Sequence, residues 1–460
     1  MAGIAGIADS HGRAAVQRML DRIQHRGPAG REIIEAPGAT LGVVWPRLQE
    51  RAGTLLRERQ TARDGDSEWH RAEARLEEGR LILARDNLGL APLYYGRTPE
   101  GQRCFASEVK ALLEVTREIR EFPPGSQDDV GGASRKFVLG QQTPLGDPPD
   151  EIARELKRRL ETSIQRRLSG EVAGCWLSGG LDSSAIAALA RPHVKQLHTF
   201  AVGLRDAADL PFADETAAFL GATHHALIVD VAQLRALLPT VICNLESFDA
   251  LLVRSSLTNY LVGELSSQYV PAVFSGEASD ELFAGYEYLK SLPAEALSGE
   301  LLDIASRLHN TAFQRVDRSA SAHGLVAYVP FADGPVVEYA VRIPVAYKLR
   351  DGVEKWILRR ALDGLLPDSV LRRTKSKFWE GAGLGDLLAR QAEEQITDDE
   401  FRRERMLADG STINSKEELL YYRVFREQFG DLPDLSWVGR TKGTPRVRWE
   451  GRATVEEAGS

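Results

Sequence analysis

The chain is poor in cysteine, with three in 460 residues: Cys104, Cys175 and Cys243. They lie far apart and none has a partner at metal-ligand spacing, which argues against a disulfide framework or a zinc site and leaves them as core filler. No apolar run approaches the roughly 20 residues that cross a bilayer, and no basic-then-apolar signal segment opens the sequence. Basic charge is not in excess either. Lys and Arg number 58 against 66 Asp and Glu, a formal charge of -8, and the two signs are intermingled, so the concentrated basic face that a nucleic-acid groove needs is missing. There is no internal repeat. These absences predict a soluble, cytoplasmic protein with neither nucleic acid nor membrane as partner.

What is present is a globular composition, 43% hydrophobic and 27% charged, in a chain too long for one ordinary core. Residues 1 to about 125 alternate short apolar strands (Gly3 to Ile7, Leu81 to Ala84, Leu93 to Tyr95) with short helices, a pattern of stacked sheets. Between Pro123 and Asp150 the sequence collects Pro, Gly, Ser, Gln and Asp, which predicts a linker. From Glu151 strands and helices take turns, as in a parallel α/β sheet whose ligands sit at the carboxyl ends of the strands. After about Gly285 the pattern is mostly helical, and a polar tail from Gly439 is expected to be loosely ordered. The fold class read from this order is α+β followed by α/β.

The strongest local signal is Ser178-Gly179-Gly180-Leu181-Asp182-Ser183-Ser184, directly after the apolar strand Cys175 to Leu177 and directly before an alanine-rich helix. Two glycines let the backbone turn tightly and expose amide hydrogens, the serines add hydroxyls, and the helix start adds partial positive charge. Such a loop suits pyrophosphate. It lacks the Gly-Lys-Ser/Thr ending of a Walker loop, so the expected cleavage of ATP lies between the α and β phosphates. A second strand, Val270 to Phe274, runs into Ser275-Gly276-Glu277-Ala278-Ser279-Asp280-Glu281. Three acids within five residues repel unless a cation sits among them. Magnesium on the phosphates of ATP would supply that charge, with Asp182 and Asp280 as the natural ligand pair.

These two segments, with Met1 to Ile7, His25 to Pro28, Arg85-Asp86, Pro92 to Tyr95, Ala106 to Leu112, His198 to Leu204, Val329 to Phe331, Glu354-Lys355, Arg373 to Phe378 and Ser415 to Glu417, resemble the asparagine synthetases across nearly the whole chain. The resemblance implies an N-terminal stacked-sheet αββα domain of the Ntn type over 1–125, related to glutamine amidotransferases. A linker (126–150), a parallel-sheet ATP-pyrophosphatase domain (151–438) and a tail (439–460) would follow. It implies bound ATP near Leu177, Val202, Ser275 and Gly276, and magnesium and pyrophosphate at Ser178, Gly180, Asp182, Ser183 and Asp280. It also implies an acyl-adenylate formed from a carboxylic acid, Lys375 stabilising charge on the phosphate, and Glu277 beside the reaction centre.

The chain departs from the family in its first half. Glutamine-dependent relatives carry a nucleophilic cysteine where this chain has Ala2, and a methyl group cannot attack a carbonyl. The Asn-Gly-Glu and Gly-Ser-Asp segments that hold glutamine are missing between Gly42 and Arg85, where Arg57 to Arg75 reads as polar and turn-like. The glutaminase half is therefore expected to be a natural remnant, with ammonia or a small amine arriving from elsewhere. The acid is expected to differ from aspartate, because Leu251-Leu252-Val253-Arg254 replaces a Thr-Thr-Ile-Arg stretch: Arg254 would hold a carboxylate beside a wall made greasier by Leu251. A specialised biosynthetic role fits these changes. Intramolecular closure, as in β-lactam synthetases, and a non-catalytic nucleotide-binding scaffold are the rival readings, and a homodimer stays open. The adjacent His224 and His225 are expected to be structural.

Overall fold

The computed structural model describes residues 1–129, 132–373 and 387–442, with the short strands Arg446–Val447 and Val455–Glu456. The first half contains eleven strands: β1 (Gly3–Ile7), β2 (Gly30–Ala36), β3 (Ala39–Trp45), β4 (Thr61–Ser67), β5 (His70–Glu77), β6 (Arg80–Arg85), β7 (Tyr94–Arg97), β8 (Arg103–Ala106), β9 (Glu118–Glu121), β10 (Ser126–Asp129) and β11 (Gly132–Arg135). They form two antiparallel sheets, ordered β2-β3-β1-β8-β7-β9 and β11-β10-β6-β5-β4. Ile4, Leu41, Val43 and Phe105 from the first sheet and Ala62, Ala72, Ala74 and Leu83 from the second share one buried core. Small alanines let the two layers close tightly. Helix α1 (Arg13–Arg22) buries Val16, Met19 and Leu20 in a different apolar cluster, and α2 (Arg51–Arg59) and α3 (Val109–Leu112) complete this half.

Two expectations are corrected here. The polar stretch within 57–75 is no turn region but the antiparallel pair β4 and β5, interrupted by a register shift between Gly65 and Ser67. The expected linker starts later than residue 126, because β10 and β11 form a hairpin that joins the second sheet through β6. Polar residues are tolerated in that strand because Asp128 accepts from the Leu83 amide at 2.7 Å and from Arg103 at 2.6 and 2.9 Å.

After α4 (Pro149–Gln165) comes a five-stranded parallel sheet of β12 (Val172–Trp176), β13 (Gln196–Leu204), β14 (Thr223–Val229), β15 (Ala272–Phe274) and β16 (Val326–Tyr328), ordered β14-β13-β12-β15-β16. Its crossovers include α5 (Leu181–Ala190), α6 (Leu210–Leu220), α7 (Val231–Leu245) and α8 (Ala250–Ser267), and beyond β15 lie α9 (Ser279–Phe283), α10 (Ala294–Ser306) and α11 (Ala312–Ser321). The chain moves from β12 to one side through β13 and β14, then returns to build β15 and β16 on the other. The crevice between the carboxyl ends of β12 and β15 is thus the topological switch point, where open α/β sheets bind ligands. Among the described residues no single helix is long and apolar enough to cross a membrane. The expected loose tail also begins later than Gly439, since Thr441 bonds Asp249 (2.7 and 3.0 Å) and Arg440 lies 4.6 Å over the Phe248 ring. Its remainder lies largely outside the described residues.

The two halves meet in a buried charge cluster. Arg26 of the first half is fully buried and grips both oxygens of Asp317 on α11, Nη1 to Oδ2 and Nη2 to Oδ1, each at 2.8 Å. It also donates to Glu108 (2.8 Å) and to the Ala2 carbonyl (2.9 Å). Arg318, next along α11, reaches Asp317 (3.0 Å) and Glu246 (2.9 Å), and Glu246 accepts the amides of Val109 (2.9 Å) and Lys110 (2.7 Å). Burial works to raise the Asp317 and Glu108 carboxyls, but Arg26 and Arg318 on the first, and Lys110, His25 and Arg318 on the second, outweigh it and hold both below the usual range. Buried ions are costly singly and tolerable only as a satisfied set. Arg26→Met should therefore lower unfolding free energy by about 3–5 kcal/mol in urea titrations. Because the folded-state pKa values are depressed, the wild type should carry this stability above about pH 4 and lose it as pH falls further, and the variant should show a flatter acid limb.

Candidate active site

The glycine loop after β12 is held open by its own bonds. Ser183 Oγ accepts from the Ser178 amide (3.1 Å) and donates to the Gly180 carbonyl (3.1 Å). Gly179 sits at φ +76, and a Cβ there would stand 2.5 Å from the Asp209 carbonyl, so only glycine fits. No side chain caps the start of α5 at Gly180, so the first-turn amides have no capping partner there. Leu177 is buried and donates its amide to the Phe200 carbonyl at 2.8 Å, while Val202 is half-buried on β13.

The second loop touches the first through its backbone. A Cβ on Gly276 would lie 2.7 Å from the Asp182 carbonyl carbon and from the Ser183 nitrogen, so the acid-rich loop packs directly on the first turn of α5. Ser275 beside it is buried and donates its amide to the Tyr328 carbonyl at 2.9 Å. Ala278 (φ 71), Ala284 (φ 58) and Lys355 (φ 55) all adopt left-handed backbone around this loop. For non-glycine residues this costs on the order of 1 kcal/mol each and tends to gather at functional sites.

Each of the three acids finds a different solution to their mutual repulsion. Asp280 shares the ammonium of Lys355, 2.6 Å away, with Asp182 at 2.5 Å; the lysine side chain is only 2% exposed. Glu277 pairs with Arg315 of α11 at 2.6 Å, and Arg315 also donates to Ser255 Oγ on α8 at 2.8 Å. Glu281 instead accepts from the Tyr286 hydroxyl at 2.5 Å, and burial together with the Asp280 charge pushes its carboxyl up to about 7.

The sequence profile of asparagine synthase matches residues 155–302 and 293–438. The chain belongs to the asparagine synthetase family. A glutamine amidotransferase profile matches residues 74–123 of the first half. Asparagine synthetase B of Escherichia coli, a glutamine-hydrolysing enzyme, is 35% identical over 380 residues, covering 77% of this chain and 68% of that protein. A probable asparagine synthetase of Dictyostelium discoideum is 31% identical over 385 residues, covering 75% and 69%. Among solved structures, NMN synthetase from Francisella tularensis aligns over 63% of this chain and 98% of its own at 15% identity with a TM-score of 0.30.

The residues expected at the phosphates (Ser178, Gly180, Asp182, Ser183, Asp280) lie on the two loops that meet beyond β12 and β15, with Asp182 and Asp280 on one Lys355 ammonium. Lys375 lies outside the described residues; the preceding Arg373 is anchored beside the loop, donating to the Gly179 carbonyl at 3.3 Å and to Asp209 at 2.6 Å. Arg254, expected to hold a substrate carboxylate, has its fork on Glu417, Nε to Oε1 at 2.6 Å with Nη2 on Oε2, and Tyr421 donates to the same carboxylate at 2.7 Å. Leu251 is half-buried one helical turn before Ser255, while Leu252 is buried. His224 bonds Thr199 (2.8 Å) and His225 bonds His198 (2.9 Å), and no group of three or more potential ligands gathers among the described residues. Sequence reasoning missed the roles of Lys355 and Arg315. The Glu354-Lys355 motif carried a signal for the first; the second sits in an unremarkable helix and had none.

The sign of the Glu281 shift gives a test. Its folded-state pKa is raised, so the native state binds the extra proton and wild-type stability should fall as pH rises from about 4.5 through 7. Glu281→Gln should remove that slope in denaturation midpoints recorded across this window; an unchanged slope assigns it to other groups.

Proposed function

We propose that the chain is an ATP-dependent ligase that adenylates a carboxylic acid, releases pyrophosphate and transfers the acyl group to ammonia or a small amine without hydrolysing glutamine. The observation that carries this reading is the convergence of Asp182 and Asp280, from two neighbouring strand tips, on a single cation beside an uncapped helix start. A carboxylate pair aimed at one point suits a hard cation, and the Lys355 ammonium stands in that place here. Magnesium bound by the pair would neutralise phosphate charge. Ser178, Gly180 and Ser183 would hold the phosphates, with Leu177, Val202, Ser275 and Gly276 toward the adenine.

In the first step a substrate carboxylate oxygen attacks the α-phosphorus and the bond to the β-phosphate breaks, releasing pyrophosphate. An amine then attacks the acyl carbon and AMP departs, while the nitrogen's proton passes to Glu277, which Arg315 holds in place. Lys375, two residues after Arg373 in the sequence, is assigned to charge on the phosphate. Arg254 is assigned to the acid-binding wall together with Leu251. Its guanidinium is already matched by Glu417, so a second carboxylate on the acid would have to compete for it, which favours an acid other than aspartate.

The absence of glutamine hydrolysis is supported by the surroundings of Ala2. Ala2 is 1% exposed, its amide bonds Asp64 at 2.9 Å and Gln49 at 2.5 Å, and its carbonyl is held by Arg26. The Ala2 methyl belongs to the apolar core between the two sheets, and its backbone polar groups are taken by these partners. Ala2→Cys is expected to release no glutamate from glutamine, and measurable release would overturn this part. With ammonium and a panel of carboxylic acids, the wild type should release pyrophosphate and AMP. Asp280→Asn and Lys375→Ala should each lower the rate at least a hundredfold, with ATP binding still measurable in Lys375→Ala. ADP as product would sink the proposal, release without any added amine would favour ring closure, and no release with any acid would favour a scaffold.

A further inference from the structure

The first half carries Ala2 in place of a nucleophile yet keeps a buried grip on the second, and a large part of that grip falls on one helix, α11. On α11, Asp317 is held by both Nη groups of Arg26 (2.8 Å each), and Arg318 donates to the Ser107 carbonyl of the first half (3.2 Å). Two residues before Asp317, Arg315 bridges Glu277 of the acid loop (2.6 Å) and Ser255 of α8 (2.8 Å). Neighbouring bonds leave the helix little freedom. Gln314 donates to the Leu245 carbonyl at 2.6 Å, and α8 approaches so closely that a Cβ on Gly263 would lie 2.4 Å from the Ser319 carbonyl. Close-packed helices transmit a shift rather than absorb it, and a rotation of α11 that freed Asp317 would also carry Arg315 away from Glu277.

We propose that the first half serves as a positioning element for the synthetase site: Arg26, through Asp317 and α11, sets Arg315 and hence the placement of Glu277. Arg26, Asp317 and Arg315 are positioning residues, since none is assigned contact with ATP or the acid. The inference rests on reading Glu277 as the proton acceptor. It supplies a reason for a half without glutaminase chemistry to retain a buried arginine fork.

The test is hydrogen–deuterium exchange on the full chain, which needs no knowledge of the acid. In Asp317→Asn, amides of 275–286 and 312–321 should exchange at least tenfold faster than in the wild type, while β12 and β13 stay within twofold. Arg26→Lys keeps the charge but loses the two-pronged grip; it should shift the same segments about threefold and guards against a variant that fails to fold. Arg103→Met breaks an ion pair within the first half that does not reach α11 and should leave 275–286 unchanged. The proposal is overturned if 275–286 stays within twofold of wild type in both α11-directed variants, or if Arg103→Met reproduces their effect. Calorimetric MgATP affinity should stay within threefold in Asp317→Asn, and a tenfold loss would mean that α11 supports the nucleotide loops instead. A wild type that binds no MgATP would defeat the functional reading alone, because the exchange comparison does not depend on it.

Discussion

The site depends on two loops from neighbouring strands being in backbone contact. Gly276 meets the first turn of α5 at a distance no side chain could share, and this contact brings the carboxylates of Asp182 and Asp280 onto one ammonium. Strand order makes the meeting possible: β12 and β15 are neighbours only because the chain builds one side of the sheet and then returns to build the other. The left-handed alanines flanking α9 show that the acid loop is bent to fit this geometry and does not relax into an ordinary helix end.

Charge is handled differently in the two most polar regions. Where the two loops meet, Asp182 and Asp280 share the Lys355 ammonium, while Glu277 and Glu281 each have a partner of their own. At the junction of the halves the ions are withdrawn from solvent and satisfied by one another. Such a cluster adds less net stability than an apolar interface of equal size, because desolvation offsets much of the attraction, but it discriminates sharply among relative placements. A mispaired interface would strand several buried charges, so the cluster fixes one orientation of the halves.

Much of this was legible in the sequence wherever a motif and its flanking pattern agreed. The strand, glycine loop and alanine-rich helix around Ser178 to Ala190 form as read, and the acid segment after β15 sits where the strand pattern put it. The failures share a cause. β4 and β10 are strands whose polar residues are satisfied by side-chain partners distant in sequence, as Asp128 is by Arg103 and the Leu83 amide, so neither alternation nor apolar content marked them. The pairing of Arg254 with Glu417 was likewise hidden, because the two lie 163 residues apart. Arg315 was invisible for the same reason, its partners being 38 and 60 residues distant by number. Long-range ion pairs are set by topology, and periodicity carries no trace of them.

The buried junction has a consequence for dissecting the protein. Truncating the chain to its synthetase half would leave Asp317, Arg318 and Glu246 facing water without the residues that now complete them, and would strip the cover from α11. A cut placed in the stretch between β11 and α4 would spare every one of those ties. The halves are bound by complementarity more than by the peptide that joins them, so a nicked protein keeps its architecture where a shortened one does not.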